Sequence, residues 1–371
     1  MNAQYALPRW ADLVLLPAVC LLVALLAAAG VVALVGQDPV EVLGVLIQGA
    51  FGTQRGISYT LYYATTFIFT GLAVAVAYHA GLFNIGGEGQ AIMGGLGTGL
   101  VALWWSASLP SWAMLPLMLM SGALFGMAWA AVPAYLQAYR GSHVVITTIM
   151  FNFIASSLSV YLLVNHLRPP GSMSVESVAF SESAKLPGMH EALAYVGIAW
   201  PTSPLNTSLF IAVAACVGVY LFLWRTRAGY HLRAVGSSAS AAEYAGVRSK
   251  HQVIISLALS GALAGLVGMN EIAGVNGRLL LEFVSGAGFT GIAVALMGRN
   301  HPVGIVLASI LFGALFQGGA EVAFEIQGFS RDMMVMLQGF IVLFSGAMTY
   351  VIAPMLAWVL AKVPSSGARH G

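Results

Sequence analysis

Apolar stretches long enough to cross a lipid bilayer recur from one end of the chain to the other, with almost no charge inside them. A helix spans the hydrocarbon core with about 20 apolar residues. Of the 371 residues, 59% are hydrophobic and 8% are charged, against about 25% charged in ordinary soluble domains. A soluble chain this poor in charge could not cover its surface with polar atoms, whereas a chain solvated by lipid need not. The composition therefore predicts an all-α, polytopic membrane protein, read as one transmembrane domain over 1–371. Hydropathy places ten helices, near 12–36, 57–80, 88–107, 112–138, 143–165, 206–225, 252–274, 286–298, 302–322 and 332–360. The stretches at 88–107 and 286–298 are short and Gly-rich, and are read as broken helices.

The run from Leu13 to Val35 follows Arg9 and contains Ala27-Ala28-Ala29-Gly30, which resembles a signal-peptidase site. It is longer than a usual signal core, so it is read as a retained helix. With the N-terminus in the cytoplasm and ten alternating helices, ten of the 15 basic residues fall inside, and Arg55, Arg168, Lys185, Arg278 and Arg331 fall outside. That bias sets orientation and puts both termini in the cytoplasm, as in a bacterial inner-membrane protein. The segment 166–205 is then a Pro-rich periplasmic loop with one short helix, and 225–251 is a cytoplasmic segment carrying clustered basic charge. Each half of the chain holds one short Gly-rich element, Gly81–Gly99 and Gly286–Gly298. An inverted repeat around a midplane site is expected from that pairing.

The net charge of +2 implies no nucleic-acid partner. Cys20 and Cys216 lie in apolar runs and are read as buried structural thiols, with no disulfide framework or metal site. No catalytic motif or cofactor signature is present, and no lysine follows a glycine, which excludes a phosphate-binding loop. The chain is read as a non-enzyme; if ATP powers it, another chain binds the nucleotide.

Three segments carry information. Gly81-Leu82-Phe83-Asn84-Ile85-Gly86-Gly87-Glu88-Gly89-Gln90 puts Asn84, Glu88 and Gln90 near membrane depth, beside glycines that break a helix. Unwound backbone at that depth is tolerated when buried in protein or lining a wet path. These residues either line or gate a solute path or satisfy backbone donors at a helix start. Asn152, Asn270 and Glu271 are further intramembrane polar residues: the two amides are read as path-lining or as helix glue, and Glu271, near the outer end of its helix, as path-lining or as snorkelled toward the loop. In the cytoplasmic segment, Ser238 caps an alanine-rich helix to Ala245, and Gly246 closes it. A short helix of small residues flanked by Arg233 and Arg248 suits a cleft on another protein, or is an ordinary loop. The third segment, Ala295-Leu296-Met297-Gly298-Arg299-Asn300-His301-Pro302, reads as a tight turn between helices.

Together these segments resemble the permeases of the branched-chain amino acid, ribose and nucleoside branch of binding-protein-dependent importers. Nucleoside permeases that work with basic membrane lipoprotein-type receptors are the nearest likeness. Residues 83–90 are similar to that group's N-I-G-x-E-G-Q signature, and the likeness covers roughly 55–350. The resemblance implies cytoplasmic ATP-binding subunits gripping Arg233, Ala234, Val235, Gly236, Ala242, Glu243, Tyr244, Ala245 and Gly246. It further implies a second permease subunit, often different in sequence, and a periplasmic or lipoprotein solute receptor, all in membrane lipid. This chain has Ser238-Ala239 where relatives often place Asn-Pro before the coupling alanines. The implied function is translocation of a small polar solute, a purine or other nucleoside foremost, with a simple sugar such as ribose as the alternative. A self-sufficient ion-coupled carrier or channel using Glu88 or Glu271 is the competing class, with no need of an ATPase dock at 225–251.

Overall fold

The computed structural model describes residues 15–326, 328, 329 and 331–362, together with Pro8 and Ala11. The expected helix start at 12 and the basic residues Arg9 and Arg369 lie outside the described residues. The described residues form α1 (Leu16–Leu34), α2 (Pro39–Phe51), α3 (Gln54–His79), α4 (Gly87–Trp105), α5 (Ser111–Arg140), α6 (Val144–Leu162), α7 (Met189–Ala194), α8 (Ser208–Arg225), α9 (Arg227–Ser237), α10 (Ala239–Tyr244), α11 (Ser249–Gly265), α12 (Ala287–Met297), α13 (Pro302–Glu325) and α14 (Arg331–Lys362). Wider π-helical turns follow α6 at Leu163–Leu167 and α11 at Met269–Asn276.

The described fold is all-helical, and six of its helices are long and apolar enough to cross a membrane: Gln54–His79, Ser111–Arg140, Val144–Leu167, Ser208–Arg225, Ser249–Asn276 and Pro302–Glu325. The bent pair α1–α2 makes a seventh if taken as one span. A helix occupies each of the ten apolar stretches, and α2 and α9 are additional. The expectation of broken helices fails twice: α12 runs unbroken over Ala287–Met297, and α4 over Gly87–Trp105 despite its glycines. The break lies before it, at residues 80–86.

The reason α4 holds is packing. A Cβ on Gly94 would lie 2.2 Å from Gly265 Cα, and one on Gly261 would lie 2.3 Å from the Gly126 carbonyl oxygen. Gly265 likewise faces the Gly122 carbonyl oxygen at 2.2 Å. The backbones of α4, α5 and α11 thus touch, as small residues permit in lipid, where dispersion rather than water expulsion drives helix association. Glycine in a helix costs about 1 kcal/mol relative to alanine, and here the close contact offsets it.

By contacts the chain forms two compact units, Met1–Gly49 with Gly318–Gly371, and Ala50–Gln317. In the first, α1 packs on α14, with Leu16, Cys20 and Ile352 buried between them. In the second, α3 is the interior helix. Its most apolar window is 83% buried, against 28% for α5, α6 and α8. Both cysteines are buried thiols. The 166–205 region contains the short helix α7 and folds onto 273–280. Ser177 N donates to Leu279 O at 3.0 Å, Leu186 N donates to Ala273 O at 2.9 Å, and Arg278 pairs with Glu176 at 2.6 Å.

Gly265→Leu is expected to lower the melting temperature of the detergent-solubilised protein by roughly 10 °C, because overpacking costs about 1–3 kcal/mol or more. Gly218→Leu, on α8 with nothing within 4 Å of its added Cβ, should leave it nearly unchanged. Equal melting curves would refute backbone-to-backbone packing at the α4–α5–α11 seam.

Candidate functional site

The α3–α4 connection is unwound, and side chains satisfy it. Gly81 has φ +75°, which releases the chain from α3. Asn84 and Gln90, each 1% exposed, form a reciprocal amide pair with N···O distances of 3.0 and 3.3 Å. Asn84 Oδ1 also accepts from Gly86 N at 2.8 Å, and Asn84 Nδ2 donates to Ser260 Oγ on α11 at 2.8 Å. Ser260 in turn donates to Ala73 O on α3 at 2.6 Å. From α6, Asn152 donates to Ile85 O and accepts from Gly89 N, both at 2.9 Å. Three helices are thus tied to one stretch of unwound chain.

Glu88 reaches in the other direction. Its two carboxylate oxygens accept from Gly286 N and Gly288 N, each at 2.8 Å. Those are donors at the start of α12, so a carboxylate from the first Gly-rich element caps the second. The positive end of the α12 dipole adds to the attraction. The approach is close: a Cβ on Gly288 would meet Glu88 N at 2.2 Å. Just before α12 the chain is strained, with Glu282 at φ 55° and Ser285 at φ 48°. Left-handed backbone at non-glycine residues persists only where surroundings enforce it. Glu88, Asn152, this strained turn and the middle of α6 enclose a cavity of about 410 Å³.

At the other end of the break, His79 joins the remaining two segments. Its ring lies 3.0 Å from Asn300 O and packs edge-on against Trp224 at 5.2 Å. A Cβ on Gly236 would stand 2.2 Å from His79 O and 2.9 Å from Gly81 N. The backbone at the end of α9 therefore lies directly on the α3–α4 turn. Beyond Gly236, Ser238 accepts from Ala241 N to cap α10, and Gly246 at φ +82° ends it. Ala242 faces inward at 4% exposure, whereas Tyr244 is 96% exposed, and Glu243, Ala245 and Gly246 are also exposed. Arg233, Ala234 and Gly236 are half-buried, and Val235 is buried.

Asn270 and Glu271 form a separate cluster in the π-helical turn. Glu271 accepts from Tyr62 Oη and, at 2.7 Å, from Thr66 Oγ1. Asn270 donates to Thr66 Oγ1 at 2.7 Å and accepts from Ser208 Oγ at 2.7 Å and Asn206 Nδ2 at 3.0 Å. Of the six polar residues singled out in the sequence, Glu88 and Asn152 border the cavity, Asn84 and Gln90 pair with each other at the unwound segment without lining it, and Asn270 and Glu271 stand apart. Sequence reasoning missed His79, Ser260 and Ser285; nothing in their local pattern marks them. Among the described residues, no three His, Cys, Asp or Glu side chains gather to hold a metal ion.

Residues 56–346 match a protein family described as the branched-chain amino acid transport system / permease component. The chain is 39% identical over 323 residues to a glucose ABC transporter permease protein of Haloferax volcanii, covering 85% of this chain and 83% of the relative. It is 32% identical to a guanosine ABC transporter permease protein of Bacillus subtilis, covering 96% of this chain and 98% of the relative. A nucleoside ABC transporter permease protein of Lactococcus lactis is also 32% identical, over 92% of this chain and 93% of its own length.

Glu88→Ala leaves two backbone donors at α12 unpaired and should destabilise the solubilised protein by about 2–5 kcal/mol. Glu88→Gln keeps one acceptor oxygen and should cost less than half of that. A chemical-denaturation midpoint unchanged in Glu88→Ala would remove the carboxylate from this structural role.

Proposed function

Because the chain belongs to the branched-chain amino acid transport permease family, we propose that it is the membrane-spanning subunit of an ATP-binding-cassette importer whose cargo is a nucleoside. The near full-length likeness to guanosine and nucleoside permeases supports that cargo. One observation carries the mechanism: Gly236 lies backbone-to-backbone on the His79–Gly81 turn. Exposed α10 is thereby linked through α9 to the unwound segment that bears Asn84, Glu88 and Gln90.

In this reading ten helices cross the membrane, both termini are cytoplasmic, and the two Gly-rich elements belong to inverted halves. The basic-residue bias supports the orientation. Cytoplasmic ATP-binding subunits grip α10, with Tyr244, Glu243, Ala245 and Gly246 at the contact. Ala242 and Val235 hold the helix to its own chain, and Arg233 and Ala234 flank the joint. Closure of the ATPase pair pushes α10 and α9. The push passes through Gly236 to residues 79–86 and from there, through Glu88, to α12, so that the path switches side. A second permease subunit, surrounded by lipid, faces the path. A solute receptor docks over the 166–205 region. Glu88 and Asn152 line the path, Asn84 and Gln90 keep its wall, and Asn270 and Glu271 brace the π-helical turn behind it. The chain performs no chemistry on the solute.

A sugar is the second reading, favoured by the 39% identity to a protein named as a glucose permease. Uptake of radiolabelled guanosine, glucose and leucine by a strain lacking the gene, with and without a plasmid copy, separates the two. Plasmid-dependent uptake of guanosine is expected; restoration of glucose uptake alone would decide for the sugar.

Tyr244→Ala should lower ATP-driven uptake at least tenfold with normal membrane insertion, since an exposed aromatic anchor is worth about 2 kcal/mol or more at an interface. Full uptake in Tyr244→Ala and Glu243→Ala together would place the ATPase contact elsewhere.

A further inference from the structure

The geometry points to the cavity between α4, α6 and the 281–286 turn as a binding site for an uncharged nucleoside, with Phe153 and Phe289 at its mouth receiving the base. The inference rests on the importer reading above and narrows its substrate class.

Position comes first. The α6 residues bordering the cavity, from Ile149 to Val160, are the central part of the Val144–Leu167 span. Polar groups there cannot face hydrocarbon without loss. Yet Ser156 is exposed, and Ser159, Asn152 and Glu88 border the same space. The cavity therefore opens on water or on another subunit. Its volume of about 410 Å³ falls within the range of small-molecule sites.

Charge selects the ligand. Among the described residues, no Lys, Arg or His borders the cavity, and two carboxylates, Glu88 and Glu282, do. A phosphate or a free amino acid's carboxylate needs a cation or the open N-terminus of a helix. One helix does begin at the cavity, but its donors Gly286 N and Gly288 N are taken by Glu88. Nucleotides and amino acids are thus disfavoured, although the family carries the name of branched-chain amino acids. What remains is a neutral solute rich in hydroxyl groups.

The apolar surface narrows it further. Phe153 and Phe289 are 66% and 47% exposed, and Phe283 also borders the cavity. Phenylalanine faces offer a flat base a stacking partner without hydrogen-bond demands. Ser156, Ser159 and Asn152 can pair with ribose hydroxyls. The strained turn at Glu282 and Ser285 forms the opposite wall. A movement of α12 through Glu88 would therefore change the shape of the site, giving the transport cycle a means of releasing its cargo.

The test photolabels the complete importer in membrane vesicles with tritiated 8-azidoguanosine, maps the labelled peptides and measures guanosine uptake in parallel. Label is expected within 149–160 and 281–289, chased by guanosine but not by guanosine monophosphate, leucine or choline. Phe153→Leu should reduce both labelling and uptake roughly tenfold, Phe153→Tyr should retain both, and Ser156→Trp should block both. Since Phe153 and Ser156 are exposed, these variants should fold. Label elsewhere on the chain, a chase by choline or leucine, or full guanosine uptake in Phe153→Leu and Ser156→Trp would overturn the cavity assignment and leave the importer reading standing. A wild-type importer that carries no nucleoside at all would instead overturn the substrate reading, and this inference with it.

Discussion

Unwound backbone in a membrane protein has no water to fall back on, and residues 80–86 are held together by that constraint. An unpaired peptide group in hydrocarbon costs several kcal/mol. Here Asn152 donates to Ile85 O and Asn84 accepts from Gly86 N in place of water, while Gln90 and Ser260 hold the Asn84 side chain. Because those side chains come from α4, α6, α11 and the unwound stretch itself, satisfying one segment also fixes the relative placement of the helices around it. The same requirement orients Glu88. With the loop locked on one side, its carboxylate is left to meet the open donors of α12. A carboxylate partly withdrawn from water is costly unless paired, and two backbone donors with a helix dipole supply the pairing.

The glycines serve a different end at each place. On α4 and α11 they remove side chains so that helices touch, a way of gaining dispersion energy where the hydrophobic effect is absent between helices. At Gly81 and Gly246 they permit positive φ, so that helices end where polar residues must begin other work. Helix α4 uses its glycines in the first way only, which is why it remains continuous although its composition suggests a break.

Hydropathy located the helices because solvation by lipid demands long apolar runs, whatever the neighbours are. It missed α2, where Pro39 and Glu41 interrupt the run, and α9, whose basic residues give it a loop-like composition. The π-helical turn at 269–276 left no trace in the sequence, since a wider turn uses the same residue types. Asn84, Glu88 and Gln90 were legible as special because polar residues among glycines inside an apolar region need a reason. Their partners were not legible. Glu88 pairs with backbone donors about 200 positions away, and a backbone donor has no sequence signature. The junction at His79 was invisible for the same reason: it consists of a main-chain contact to Gly236 and a bond to the carbonyl of Asn300. Side-chain patterning records burial and period, not which stretch of main chain will lie across which.

The contact of Gly236 with the turn after α3 is bare main chain against main chain. Flexible side chains between two moving parts would act as springs and absorb a small displacement before passing it on. Rigid peptide planes in van der Waals contact do not compress, so such a joint works without backlash. Any shift of the end of α9, even a sub-ångström one, would thus be shared at once by the unwound stretch after α3.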